Sequence, residues 1–154
     1  MTATPTETDI QMMHRALEAA DRAADMGEVP IGAVVYRNEE ILATAHNLRE
    51  TNNDPTAHAE IIALQLAAQK IGHWRLIDCS IAVTLEPCPM CAGALVNARV
   101  ARLVYGADDP KMGCVRTLAN LCEEPRFNHR LEVIPNVLAQ PAIDKLQAFF
   151  RARR

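Results

Sequence analysis

The chain has 154 residues, 49% of them apolar and 23% charged, with a net charge of −3. That length supports one domain with its own core, read here as a single domain over 1–154 with residues 1–8 as a flexible tail. The composition excludes a membrane-spanning protein, because no apolar run reaches the roughly 20 residues that cross a bilayer. It also excludes a globally basic nucleic-acid binder, so any polyanionic partner must meet a local basic patch.

Residues 1–9 carry neither the basic nor the apolar block of a signal peptide. Five cysteines without such a signal suit a reducing cytoplasm better than a disulfide framework. A first helix is predicted from about Thr8, where Thr8-Asp9-Ile10-Gln11 has the form of a capping box. Met13, Ala16, Leu17, Ala20 and Ala24 make its apolar stripe, and Gly27 is its stop. Residues 30–36 and 41–45 are two apolar runs around the polar break 37–40, which predicts a hairpin. His46-Asn47 closes the second strand, where Asn47 serves readily as a turn residue.

After the polar loop 49–54, a second helix is predicted with Asp54 as N-cap and Pro55 in its first turn. From Ala57 to Ile71 nearly every side of that helix is apolar, which predicts a buried helix with His58 and Glu60 in its first turn. Residues 80–85 form a third strand that runs into Glu86-Pro87-Cys88, so the cysteines open a third helix. A fourth strand follows over 102–106. The stretch 107–130 is less regular, with a short helix expected near 117–121. Residues 131–134 make a fifth strand, and 141–154 a closing helix with Leu146, Phe149 and Phe150 on its apolar face. A hairpin followed by helix, strand, helix and strand predicts an α/β fold whose later strands are parallel and covered by helices.

Two short pieces carry the chemistry: His58-Ala59-Glu60, and Pro87-Cys88-Pro89-Met90-Cys91. One imidazole and two thiolates are soft ligands that suit Zn²⁺ better than Mg²⁺ or Ca²⁺. Three protein ligands leave a tetrahedral ion one open position for water, which is what distinguishes a catalytic zinc from a structural one. Glu60, two residues from His58, is placed to collect the proton of that water. The arrangement H-x-E with P-C-x-x-C is that of zinc nucleobase deaminases. The competing reading is a structural zinc completed by Cys114, Cys122, His73 or His129. Three basic clusters are candidate phosphate contacts or solvated faces: Arg99 with Arg102, Arg126 with Arg130, and Arg151 with Arg153 and Arg154.

Several longer blocks go beyond the zinc motif. They are Glu28-Val29-Pro30-Ile31-Gly32-Ala33-Val34, His46-Asn47, Asp54-Pro55-Thr56-Ala57-His58-Ala59-Glu60-Ile61, Arg75-Leu76-Ile77-Asp78, and Val83-Thr84-Leu85-Glu86-Pro87-Cys88-Pro89-Met90-Cys91-Ala92-Gly93-Ala94. Tyr105-Gly106-Ala107, Asn128-His129-Arg130 and Phe149-Phe150-Arg151-Ala152-Arg153-Arg154 follow. In these the chain resembles the bacterial tRNA-specific adenosine deaminases of the cytidine deaminase-like fold. The resemblance implies a three-layer α/β/α sandwich with a central five-stranded mixed sheet, a homodimer, and a cytoplasmic enzyme. The implied reaction converts the wobble adenosine of a tRNA anticodon, in an arginine tRNA, to inosine.

It further implies one Zn²⁺ per chain held by His58, Cys88 and Cys91, with Glu60 moving protons. Asn47 would hydrogen-bond the flipped base, and Asp109 would contact a ribose hydroxyl of the anticodon stem-loop. Neither DNA nor a membrane is an expected partner. The chain departs from the resemblance after Lys111, where Val115 and Arg116 replace smaller residues, and Arg116 becomes a further candidate phosphate contact. Two other functions compete: a deaminase of free guanine, cytosine or cytidine, and a zinc-stabilised RNA-binding module without turnover. The basic end from Phe149 argues for a polymer substrate, and Glu60 argues against a pure binder.

Overall fold

Strand alternation decides the layers. Along β1 (Gly32–Arg37), Ala33 and Val35 point to one face and Val34 and Tyr36 to the other, and all four are buried. The same division holds in β3 (Ser80–Leu85) and β4 (Arg102–Ala107), with Ile81, Val83, Leu103 and Tyr105 on the first face and Ala82 and Val104 on the second. Buried on both sides, these strands need two helical covers. Helices α2 (Ala59–Ile71) and α3 (Pro89–Asn97) supply the first, and α1 (Glu7–Asp25) and α4 (Ala139–Arg151) the second. The result is the three-layer α/β/α sandwich, as expected.

This is a computed structural model and describes residues 4–153. Residues 1–3 of the expected tail and Arg154 of the basic end lie outside the described residues. With β2 (Glu40–His46) and β5 (Glu132–Ile134), the five-stranded sheet has the order β2-β1-β3-β4-β5. β1 is antiparallel to β2 and β3, while β3, β4 and β5 run parallel, so the sheet is mixed. Gly32 lets α1 close on the sheet, since a Cβ there would lie 2.0 Å from the Ala16 carbonyl oxygen.

Several boundaries differ from the sequence reading. Helix α1 is capped by Thr6, not Thr8: the Thr6 Oγ1 accepts from the Asp9 N–H at 3.0 Å, and the Asp9 carboxylate accepts from the Thr6 N–H at 2.8 Å. Asp9 wins because it has long-range partners that Gln11 lacks. Helix α2 starts at Ala59, not after Asp54. The Asp54 Oδ1 accepts from the N–H and hydroxyl of Thr56, both at 2.8 Å, which closes a turn ahead of the helix. The helix is also not buried all round, since Gln65 and Leu66 are exposed. Residues 117–121 form no helix: Thr117 ends a turn and 119–121 are irregular. On α4, Ala142 and Phe149 are buried, whereas Phe150, one step around the helix, is exposed.

Asp9 ties α1 to the sheet. It is buried and receives the Tyr36 hydroxyl at 2.7 Å and the Arg102 guanidinium, which also meets Glu132. Burial alone would raise the Asp9 carboxyl, but Arg102, Tyr36 and the Thr6 N–H outweigh it and hold it below the usual carboxylate range. A lowered folded pKa means that this stability is present above the unfolded value, near 3.9, and is lost as pH falls through the folded one. Asp9→Asn is expected to cost about 3 kcal/mol at pH 7. It should also flatten the decline of the urea midpoint as pH falls below about 4. Equal slopes for wild type and variant would show that Asp9 is not the group responsible.

Candidate metal centre and cleft

Register brings the site together. β1 pairs Gly32 with His46 of β2 and Ala33 with Val83 of β3, so the ends of β2 and β3 lie at one edge of the sheet. The chain leaves β2 through the loop before α2 and leaves β3 directly into α3. Both helices therefore begin at that edge, which is also the carboxyl end of the parallel strands. His58 is the N-cap residue of α2 and Cys88 that of α3, both with extended backbone and neither capping its helix with its side chain.

Their side chains meet instead. The His58 Nδ1 lies 3.6 Å from the Cys88 Sγ and 3.5 Å from the Cys91 Sγ. A tetrahedral ion with nitrogen and sulfur arms of about 2.0 and 2.3 Å requires a separation of about 3.5 Å. Both separations from the imidazole therefore match such an ion. Among the described residues they form the group able to hold a metal, with all ligand atoms within 4.8 Å of one another. Cys114, Cys122, His73 and His129 stand outside it. The His129 ring sits 2.7 Å from the Val100 carbonyl oxygen, and the His73 Nδ1 accepts from the Arg75 N–H. Among the described residues no fourth protein donor joins the three, and three protein ligands are the donor set of an open site.

The thiols are electrostatically unequal. Cys91, followed by the His58 ring, pulls Cys88 down to about 4, while its contact with Cys88 and then burial push Cys91 up. The pair thus retains a proton that a soft dication displaces on binding. Glu60 is 4% exposed, and burial pushes its carboxyl up to about 7.

A cleft of about 330 Å³ opens beside these groups, lined by His58, Glu60, Cys88, Asn47, Arg49 and Asp109. This is near the lower end of ligand pockets and suits one nucleoside. Every site residue picked out from the sequence except buried Cys91 lines the cleft, and Cys91 joins it through the metal group. Asn47 is buried, its Oδ1 accepting from the Arg49 N–H at 3.0 Å, so it both shapes the turn and borders the cleft. The Asp109 Oδ1 accepts from the N–H groups of Lys111 and Met112.

Three residues escaped the sequence reading. Arg49 puts a cation at the cleft and pairs with exposed Glu50 at 3.5 Å. Glu28, fully buried, accepts from the N–H groups of Glu50 and Thr51 and fixes the loop that carries Arg49. Glu86, 2% exposed, does the same for the loop on the other side. A charged residue directly after the apolar strand 81–85 was the available signal. Of the basic clusters, Arg102, Arg126 and Arg153 are engaged by Asp9, Glu124 and the Phe149 ring. Val115, the bulkier residue after Lys111, is buried in the core, and Arg116 is exposed.

The sequence matches the MafB19-like deaminase family over residues 7–154. It is 52% identical to a tRNA-specific adenosine deaminase of Bacillus subtilis strain 168 over 142 residues, 92% of this chain and 88% of that one. A structure from studies of A-to-I editing by tRNA:A34 deaminases at the wobble position superimposes with a TM-score of 0.85 at 38% identity. That match covers 88% of this chain and 99% of the other. A guanine deaminase from Bacillus subtilis, also 38% identical, matches with a TM-score of 0.61 over 64% of this chain and 63% of its own.

The metal capacity is directly measurable. One equivalent of Co²⁺ added to metal-free protein is expected to produce thiolate-to-cobalt absorption in the near ultraviolet. Cys91→Ser should abolish that band, while Cys114→Ser and Cys122→Ser should keep it. Loss of the band in Cys114→Ser would restore the four-ligand structural site.

Proposed function

This chain belongs to the tRNA-specific adenosine deaminases, and on that premise we propose that its cleft receives the wobble adenosine of a tRNA anticodon and converts it to inosine. The observation that carries the reading is a three-donor metal group and a buried, protonatable Glu60 on the same nucleoside-sized cleft. His58, Cys88 and Cys91 would hold one Zn²⁺, which at its open position supplies a water acidic enough to be a nucleophile at neutral pH.

Glu60 handles the protons. With a pKa pushed to about 7 by burial, its carboxylate would take one proton from the attacking water and give it to N1 of the purine. It would then take the second from the new C6 hydroxyl and give it to the amine as the C6–N bond breaks. Adenosine and water leave as inosine and ammonia. Asn47, held by its own turn, presents its remaining polar edge to the base, and Asp109 to a ribose hydroxyl, which distinguishes RNA from DNA. Arg49 places positive charge at the cleft for anticodon phosphates, and the exposed Lys111 and Arg116 stand on the same loop as Asp109. An arginine tRNA is the isoacceptor and a homodimer the assembly that the resemblance implies. Five free cysteines suit a reducing cytoplasm.

Incubation with arginine tRNA, free adenosine, guanine and cytosine separates the readings. Inosine in the tRNA alone is expected, and turnover of a free base with none of the tRNA would replace this proposal with a small-molecule deaminase. Glu60→Ala should retain zinc and tRNA affinity while turnover falls by at least about 10²–10⁴-fold. Zinc lost with that substitution would make Glu60 a ligand. A near-normal single-turnover rate would make it a bystander.

The same enzyme should bind tRNA more weakly as salt rises, because phosphate contacts release counterions. A KM constant across a salt series would count against a polyanionic substrate.

A further inference from the structure

We infer that Glu86 is a positioning residue for this reaction: its buried carboxylate gathers the N–H groups of the loop after β4 and so fixes the cleft wall that carries Asp109 and Met112. The inference rests on the tRNA deaminase reading for its effect on substrate, but on geometry for the anchoring itself.

The loop from Asp108 to Leu118 has turns but neither helix nor strand, so the N–H groups that Asp109 and the loop's own carbonyls do not take up need partners from elsewhere. Glu86 supplies them. Its Oε1 accepts from the Asp109 N–H at 3.0 Å and from the Thr117 hydroxyl. Its Oε2 accepts from three consecutive N–H groups, Val115 at 3.1 Å, Arg116 at 2.8 Å and Thr117 at 3.0 Å. Only an ionised carboxylate offers two oxygens and no donor to such a set. The loop wraps so closely that a Cβ at Gly113 would sit 2.3 Å from the Glu86 Oε1.

Glu86 is itself fixed by position. It follows the last residue of β3, donates its N–H to the Ala107 carbonyl at 2.8 Å, and precedes Pro87-Cys88. Pro87 accepts from the Cys114 N–H at 2.9 Å, so the start of the metal-binding helix and the loop form one unit. With both oxygens occupied, Glu86 is not a second proton carrier. Its part is to hold the wall against which an anticodon loop packs, while Glu60 and the metal ligands stand on other segments. Removing it should therefore weaken substrate binding and leave the chemistry of the bound complex largely intact.

The test compares Glu86→Gln and Thr117→Val with wild type, all zinc-loaded. Zinc content, kcat and KM on an anticodon stem-loop, and amide hydrogen exchange over 108–118 are measured. For Glu86→Gln, one zinc per chain, a KM raised about tenfold or more, a kcat within about threefold, and faster exchange at Asp109 and residues 115–117 are expected. Thr117→Val, which removes one hydroxyl donor on the loop side, should move KM and exchange the same way by less. Unchanged exchange in both variants would overturn the anchoring. A fall in kcat at constant KM would overturn the positioning role in favour of a direct chemical one. If Glu86→Gln does not fold, Thr117→Val decides alone. If wild type leaves the stem-loop unreacted, the proposed function fails, while the exchange comparison still tests the anchor.

Discussion

An imidazole and two thiols cannot be held 3.5–3.6 Å apart by one short segment, because the donors lie thirty residues apart in the chain. Everything else in the structure follows from bringing two helix starts to one point. The antiparallel β1 does this: pairing with β2 on one side and β3 on the other, it aligns their carboxyl ends at Gly32 and Ala33. The parallel step from β3 to β4 then needs a crossover, and α3 supplies it with its first turn at the same edge. N-cap positions suit the purpose. Their backbone is extended and their side chains project from the helix end, so His58 and Cys88 give up a capping bond and face each other.

The parts of this arrangement that depend on neighbouring residues were legible in the sequence. Continuous apolar runs between polar breaks marked β1, β3 and β4, buried on both faces, and the order of elements led to the mixed sheet. The spacing of His58, Glu60, Cys88 and Cys91 led to the open metal group, because those side chains are fixed by the first turns of their own helices. Signals with two local meanings went wrong. Asp54 followed by Pro55 reads as a helix cap, yet the same side chain closes a turn on Thr56, and the real start comes at His58. Thr8 and Thr6 are both capping candidates. What separates them is Asp9, whose partners Tyr36 and Arg102 are 27 and 93 residues away.

The loop after β4 shows the same limit from the other side. Residues 117–121 have the composition of a short helix but form none, and the N–H groups leading into them, Val115 to Thr117, are gathered by Glu86. The carboxylate lies thirty residues upstream of Arg116, and no local pattern reveals the pairing. Likewise, Val115 reads as a bulky intrusion into a substrate loop until its burial shows that it faces the core instead. Arg116 is left at the surface, so the departure from the resemblance adds an exposed charge to the loop after β4 and a side chain to the core.

Three glutamates buried around one cleft show how partners, not burial, set chemical character. Glu28, Glu60 and Glu86 are each at most 4% exposed, and burial raises the pKa of all three. For Glu28 the hydrogen bonds of Thr51 and Glu50 outweigh it, and for Glu86 those of Thr117, Arg116 and Asp109 do, so both are held as anions. Glu60 lacks such a cradle and stays near neutrality, poised between its two states. An anion saturated with N–H donors is a fastener, because moving a proton onto it would break the bonds that hold its loop. A carboxyl with few donors loses little on changing state, which is the property that the proposed role of Glu60 as proton carrier requires.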